Sequence, residues 1–263
     1  MSHNHTPVKR FGQHFLNDIS VLERIIKVFA AKPTDRVIEI GPGTGALTEL
    51  LLEQLPHLTA IELDRNLIDL LLQKFASTRF GELNVIQSDV LDVDFNGIKT
   101  QTQENQKLRL IGNLPYNIST PLIFHLLDHI ELFEDMVFML QKEVADRLAA
   151  SPGSKNYGRL TVMTAIHLES RCLFDVPPSS FTPPPKVNST VIRLRPRPTA
   201  FSLDDPHKFG EIVAAGFSQR RKTIRNGLKG MVGDQQFEQV GIDPKARSET
   251  IAVHKWVELA NTC

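Results

Sequence analysis

Cysteine is nearly absent: Cys172 and Cys263 are the only two in 263 residues. They lie far apart, so neither a disulfide framework nor a thiolate zinc site is expected. An excess of one charge is absent too. Lys and Arg together number 30, as do Asp and Glu, which removes the overall pull toward nucleic acid that a basic chain has. No apolar run approaches the ~18 residues of a membrane span. The opening segment MSHNHTPVKR lacks the apolar stretch of a secretory signal. These absences lead to the expectation of a cytoplasmic protein that makes no membrane contact. Tyrosine is scarce, with only Tyr116 and Tyr157.

What is present suffices for a core. Hydrophobic residues make up 41%, and the length suits one sizeable α/β domain with a small appendage. Ile19, Leu22, Ile25, Ile26 and Phe29 recur at helical spacing, with Asp18 or Ser20 as the cap. Short apolar runs at 37–40, 58–63, 84–89, 108–112 and 136–141 predict strands. Between them, 46–55, 66–76 and 121–130 predict helices. Such alternation predicts a parallel, doubly wound sheet. The polar stretch 96–107 reads as a loop. Residues 176–186, with five prolines, read as irregular. Residues 189–196 alternate as a strand does, and 209–228 and the C-terminal HKWVELANTC read as helices. The boundary between a domain at 1–199 and a helical domain at 200–263 is drawn near residue 199.

Ligands of doubly wound sheets bind beyond the carboxyl ends of the strands. There stands EIGPGTG, with Gly41, Gly43 and Gly45 between a strand and a helix. Its spacing is neither that of dinucleotide sites nor that of a Walker loop. Glu62 ends the next strand, where a carboxylate can accept both hydroxyl protons of a ribose. Asp89 ends the third and can accept from an adenine amine. Three such elements in succession point to an adenosine-containing cofactor. They resemble the first motifs of class I methyltransferases, commonly E-x-G-x-G-x-G.

NLPY (113–116) follows the fourth strand and has the (Asn/Asp/Ser)-x-Pro-aromatic form of methyltransferases acting on exocyclic amines of bases. An adenine amine is a poor nucleophile because its lone pair is delocalised into the ring. Acceptors for both amine protons push the pair toward the methyl donor. The Asn113 side-chain oxygen and the Leu114 carbonyl are the candidates, while Pro115 stiffens the turn and Tyr116 offers a face for an extruded base. In FTPPPKVNS (181–189), Phe181 either covers the other face of that base or packs in a hairpin.

Residues 212–233 contain no acid. Arg220, Arg221, Lys222, Arg225 and Lys229 fall within ten residues, and Val213, Phe217, Ile224 and Leu228 form an apolar stripe. A docked helix with a basic ridge for RNA phosphates is expected, with Arg193, Arg195, Arg197, Lys9 and Arg10 extending it. His125 and His129 have a spacing that can hold zinc, but no third ligand is evident and no metal is expected.

Taken together, KRFGQHFL (9–16), VIEIGPGTGALT (37–48), IELD (61–64), IGNLPYNISTPL (111–122), LQKEVADRL (140–148), YGRL (157–160), FTPPPKVNS (181–189) and QRRKTIRN (219–226) resemble the bacterial small-subunit ribosomal RNA adenine dimethyltransferases over nearly the whole chain. The resemblance implies a Rossmann-like class I methyltransferase sheet with a small helical C-terminal domain. It implies methyl transfer from S-adenosylmethionine to two adjacent adenines near the 3′ end of the small-subunit RNA, late in subunit assembly. Partners would be the small subunit and its RNA, with the enzyme a monomer. It also implies that His14, Leu16, Gly41, Glu62, Asp89 and Asn113 line the cofactor site, and that Asn113, Leu114, Tyr116 and Phe181 serve the target adenine. His14 stands where many relatives have Asn; both side chains can hydrogen bond. Competing readings are a large-subunit RNA methyltransferase, an assembly factor without activity and a DNA methyltransferase.

Overall fold

A computed structural model describes residues 13–76, 81–100, 106–198, 201–219 and 221–263. It begins with a two-residue strand, β1 (Phe15–Leu16), and α1 (Ile19–Phe29). Asp18 is the cap of α1, its Oδ1 accepting the N–H groups of Ser20 and Val21 at 3.1 and 3.3 Å. Leu22, Ile25, Ile26 and Phe29 are buried as the spacing predicts, but Ile19, at the first helical position, is exposed.

There follow β2 (Arg36–Ile40), α2 (Ala46–Leu52), β3 (His57–Glu62), α3 (Arg65–Lys74), β4 (Glu82–Gln87), α4 (Phe95–Thr100), β5 (Leu108–Asn113) and α5 (Ser119–Leu127). Next come β6 (Phe133–Gln141), α6 (Lys142–Leu148), α7 (Arg159–Ala165), β7 (Leu168–Val176), β8 (Phe181–Thr182) and β9 (Ser189–Pro196). The last are α8 (Pro206–Phe217), α9 (Ile224–Gly227), α10 (Asp234–Val240) and α11 (Val253–Asn261).

Seven strands form one sheet in the order β4-β3-β2-β5-β6-β9-β7. The five strands from β2 to β6 run parallel, and β9 joins β6 antiparallel. The sheet is therefore mixed at one side. Strand order reverses at β2, between β3 and β5, the switch point at which such sheets open a crevice. Strand β5 is buried along Leu108–Gly112, the near-continuous burial expected of a strand covered on both faces. Each buried leucine or isoleucine here contributes about 1.5–3 kcal/mol.

Arg109, nearly buried, organises the other end of the sheet. It meets Asp35 at 2.6 Å and Asp135 at 2.7 Å, and donates to the carbonyls of Phe29 and Ala30 at the end of α1. Burial works against its charge, and the two carboxylates more than restore it. Arg193, expected on an RNA-binding patch, belongs to this cluster instead: it lies 3.6 Å from Asp135 and donates to the Val28 carbonyl.

Three local expectations are corrected. Residues 96–100 of the expected polar loop belong to α4. The proline-rich 176–186 includes β8, whose two residues pair with β1, because strand pairing there needs only the non-proline residues Phe181 and Thr182. The basic segment is not one helix: α8 ends at Phe217 and α9 starts at Ile224.

The chain divides into two units. One holds residues 1–145 and 171–196, the other 146–170 and 197–263. The second has its own core, in which Tyr157, Val162, Phe209, Val213, Ile224, Leu228, Phe237 and Trp256 are buried. Val213, Ile224 and Leu228 of the expected apolar stripe are thus interior despite the helix break.

Candidate active site

The first parallel strand, β2, ends on Ile40, and the chain turns through Gly41, Gly43 and Gly45, with φ of 66°, 58° and 79°. Those values favour glycine. The turn is tied to its neighbours: the Gly41 N–H donates to the Ile61 carbonyl at 3.0 Å and the Gly45 N–H to Pro42 at 2.9 Å. At Gly43 a Cβ would lie 3.0 Å from the ring of Phe15. The backbone is bare where a ligand must pass closest.

Glu62 faces this turn from the end of β3. Its carboxylate accepts the N–H groups of Gly43 at 3.3 Å and of Leu63 and Asp64 at 2.9 Å. Burial pushes the carboxyl up, and the three N–H groups pull it back in part. Asp89, beyond the end of β4, accepts from the Leu91 N–H at 3.0 Å, which fixes it beside the cleft.

After β5 the NLPY turn is pinned on both sides. The Leu114 N–H donates to the Met139 carbonyl at 3.2 Å, and the Ile118 N–H to Pro115 at 3.1 Å. The Asn113 Nδ2 donates to the His14 carbonyl at 2.8 Å. That bond orients the amide, leaving Oδ1 as the acceptor for a ligand. Tyr116, half-buried, shares a hydrogen bond of 2.7 Å with the Ser189 hydroxyl. The His14 imidazole stacks on it, ring centres 5.6 Å apart and planes at 30°. His14 Nδ1 meets the Pro183 carbonyl at 2.7 Å, so that nitrogen carries the proton.

One cleft therefore gathers His14, Leu16, Gly41, Gly43, Glu62, Asp89, Asn113, Leu114 and Tyr116. Phe181 does not line it. Its ring is 3% exposed within the apolar cluster of Leu16, Leu22 and Met139. A base contact would require that ring to leave its packing; in this structure Phe181 stays in the core, paired with Leu16 of β1. Glu62 and Asp89 bring two carboxylates to this cleft, each able to accept from a hydroxyl or amine of a ligand.

Glu39 is a lining residue that residue-type reasoning did not single out, although it is the first letter of the E-x-G-x-G-x-G motif. It is 1% exposed, accepts the Thr48 hydroxyl at 2.7 Å, and is pushed by burial up to about 8. A carboxyl raised from its ordinary 4.5 stabilises the fold fully below that value and loses the contribution as pH rises toward 8. Glu39→Gln cannot ionise. Its melting temperature should therefore gain on the native chain between about pH 5 and about pH 8.5. A difference that stays constant with pH would contradict the buried-acid account.

Of the expected RNA-binding residues, Arg220 lies outside the described residues, as do Lys9 and Arg10. Arg221, Lys222, Arg225 and Lys229 are all exposed or half-exposed, and Arg225 pairs with Asp234 at 2.6 Å. Thr223 and the first turn of α9 lie against residues 244–247: the Ile224 N–H donates to Ala246 at 2.8 Å, the Arg225 N–H to Pro244 at 3.2 Å, and Thr223 bridges to Arg247. Lys245 and Arg247 thereby join Arg221 and Lys222. Their separation in sequence hid this grouping. His125 and His129 stack edge to face, centres 5.4 Å apart, and among the described residues no set of three metal-ligating side chains occurs.

A glycine turn at the switch point, facing an oriented asparagine at the end of β5, is the arrangement of a class I methyltransferase directed at an amine. Comparison with known proteins narrows the class. The chain belongs to the ribosomal RNA adenine dimethylase family, whose model matches residues 4–263. It is 50% identical to the ribosomal RNA small subunit methyltransferase A of Alcanivorax borkumensis over 98% of this chain and 90% of that protein. The corresponding protein of Xylella fastidiosa is 51% identical over 97% and 96%. Among solved structures, a dimethyladenosine transferase from Plasmodium falciparum superposes with a TM-score of 0.80 at 27% identity, covering 94% of this chain and 96% of that one.

Proposed function

We propose that this chain methylates the exocyclic amine of adenine in small-subunit ribosomal RNA, giving N(6),N(6)-dimethyladenine with S-adenosylmethionine as donor. The observation that carries the reading is the orientation of Asn113, whose Nδ2 is committed to the His14 carbonyl and whose Oδ1 is left to accept. S-adenosylmethionine, when bound, supplies an electrophilic methyl on a sulfonium sulfur. Glu62 holds the ribose hydroxyls and Asp89 the adenine amine of that donor. Asn113 Oδ1 and the Leu114 carbonyl accept the two protons of the target amine, so its lone pair localises on nitrogen. Tyr116 carries the extruded ring. The alkylated nitrogen is acidic and gives its proton up without a strong base. After the first methyl one proton remains for these acceptors, enough to direct a second transfer. Two adjacent adenines near the 3′ end are the target that the family resemblance implies.

Arg221, Lys222, Lys245 and Arg247 are the phosphate-binding groups of this reading, on the helical unit. Their joint replacement by alanine should weaken small-subunit binding and flatten its dependence on salt, by about 0.7–0.9 in slope for each phosphate left without its cation. An unaltered slope would make them an ordinary solvated face.

The reading is tested with labelled S-adenosylmethionine offered to unmethylated small subunits, large subunits, naked RNA and duplex DNA. Label on the small subunit supports it. Label confined to the large subunit or to DNA overturns the target, and no label on any substrate overturns the activity.

A further inference from the structure

The cleft is lined by the residues named above, but one hydroxyl that sets its geometry lies behind it. We propose that Ser189 is a positioning residue for methyl transfer, fixing the ring of Tyr116 in the attitude that receives the target adenine. This rests on the reading of Tyr116 as the stacking face.

Ser189 is fully buried at the first position of β9, opposite Gln141 of β6. Thr190, Val191 and Ile192, which follow it, are equally buried. A hydroxyl in such a place costs stability unless it is hydrogen-bonded. Its partner is the phenol of Tyr116 at 2.7 Å. Because β9 is hydrogen-bonded to β6, and β6 to β5, the serine stands at a fixed place relative to the NLPY turn.

A tyrosine side chain turns about two torsions. Held at its tip by Ser189 and covered on one face by His14, Tyr116 keeps little of that freedom. His14 is itself anchored: its ring nitrogen meets the Pro183 carbonyl, and its own carbonyl accepts Asn113 Nδ2. The acceptor amide and the stacking ring are thus referred to the same short segment, and Ser189 supplies the third point. A ring already set gives up little rotational freedom when the extruded base stacks on its open face, a step that follows subunit docking, so the benefit falls on turnover and not on subunit affinity.

The test is a double-mutant cycle of Ser189→Ala and Tyr116→Phe on unmethylated small subunits. Tyr116→Phe keeps the stacking face and removes only the tip. Each single variant should lower kcat about tenfold, the worth of one oriented hydrogen bond. KM for the subunit should stay within about twofold, since docking is made elsewhere. The double variant should be no slower than Tyr116→Phe alone. A Ser189 that matters only for packing would add its effect to that of Tyr116→Phe and lower cofactor affinity, and either result overturns the proposal. With two tyrosines in the chain, ring-labelled NMR reads the contact without turnover. Ser189→Ala should move the Tyr116 signals and leave those of Tyr157. Unmoved Tyr116 signals overturn the proposal even if native enzyme labels no subunit, an outcome that would count separately against the function itself.

Discussion

Asn113→Ala is expected to lower kcat for adenine methylation by about a thousandfold while small-subunit binding stays within a few fold. The size follows from what the side chain does. An oriented dipole in a water-poor cleft matters when charge develops, and removing one such group typically costs about 100–1,000-fold in kcat. The hydrogen bond that alanine removes belongs mainly to the transition state, because the resting amine is solvated equally well by water. Asn113→Asp separates the two duties of the amide. It keeps an acceptor but replaces Nδ2, now 2.8 Å from the His14 carbonyl, with a second oxygen. Two acceptors then face each other, and the carboxylate must turn away. An intermediate rate is expected, read by single-turnover transfer. Full activity in Asn113→Ala would remove Asn113 from the chemistry; full activity in Asn113→Asp would show that the bond to the His14 carbonyl is not needed for it.

Glu62→Ala should weaken S-adenosylmethionine binding by about 100–1,000-fold, the worth of two hydrogen bonds to a charged acceptor. Calorimetry reads it directly. The same carboxylate also accepts three backbone N–H groups, so alanine both removes the ribose acceptor and loosens the glycine turn. Glu62→Gln distinguishes these effects, since it preserves the volume and one acceptor oxygen. It should bind between alanine and the native chain. The pH dependence has a defined sign. Burial raises the Glu62 carboxyl, so affinity falls as pH drops through that raised value and the acceptor becomes protonated. Affinity unchanged in Glu62→Ala would move the ribose elsewhere.

Much of this site was legible because it is local. Gly41, Gly43 and Gly45 lie within five residues, NLPY within four, and both follow apolar runs that read as strands. Their meeting in space follows from the parallel order of β2 and β5, which a βαβ pattern imposes. What escaped depends on contacts distant in sequence. Nothing between 146 and 170 marks that segment as grouping with 197–263, because Tyr157 and Val162 find their partners at Phe209 and Trp256. Lys245 and Arg247 join Arg221 and Lys222 only through the pairing around Thr223. The helix expected through 209–228 is two, α8 ending at Phe217 and α9 starting at Ile224, and the Ser218 hydroxyl turns back to the Ala215 carbonyl at 2.7 Å, the side-chain bonding that competes with helix. Arg193 looked like a surface cation, and its pairing with Asp135 required knowing that β9 lies beside β6.

Product identity shows whether the oriented amide of Asn113 drives methylation of an adenine amine. Unmethylated small subunits would be treated with S-adenosylmethionine and native enzyme or Asn113→Ala, the RNA digested, and the nucleosides resolved by mass spectrometry. N(6),N(6)-dimethyladenosine is expected from the native enzyme and almost none from the variant. Dimethyladenosine formed at the native rate by Asn113→Ala would take the amide out of the reaction, and methyl groups on a different base would overturn the target.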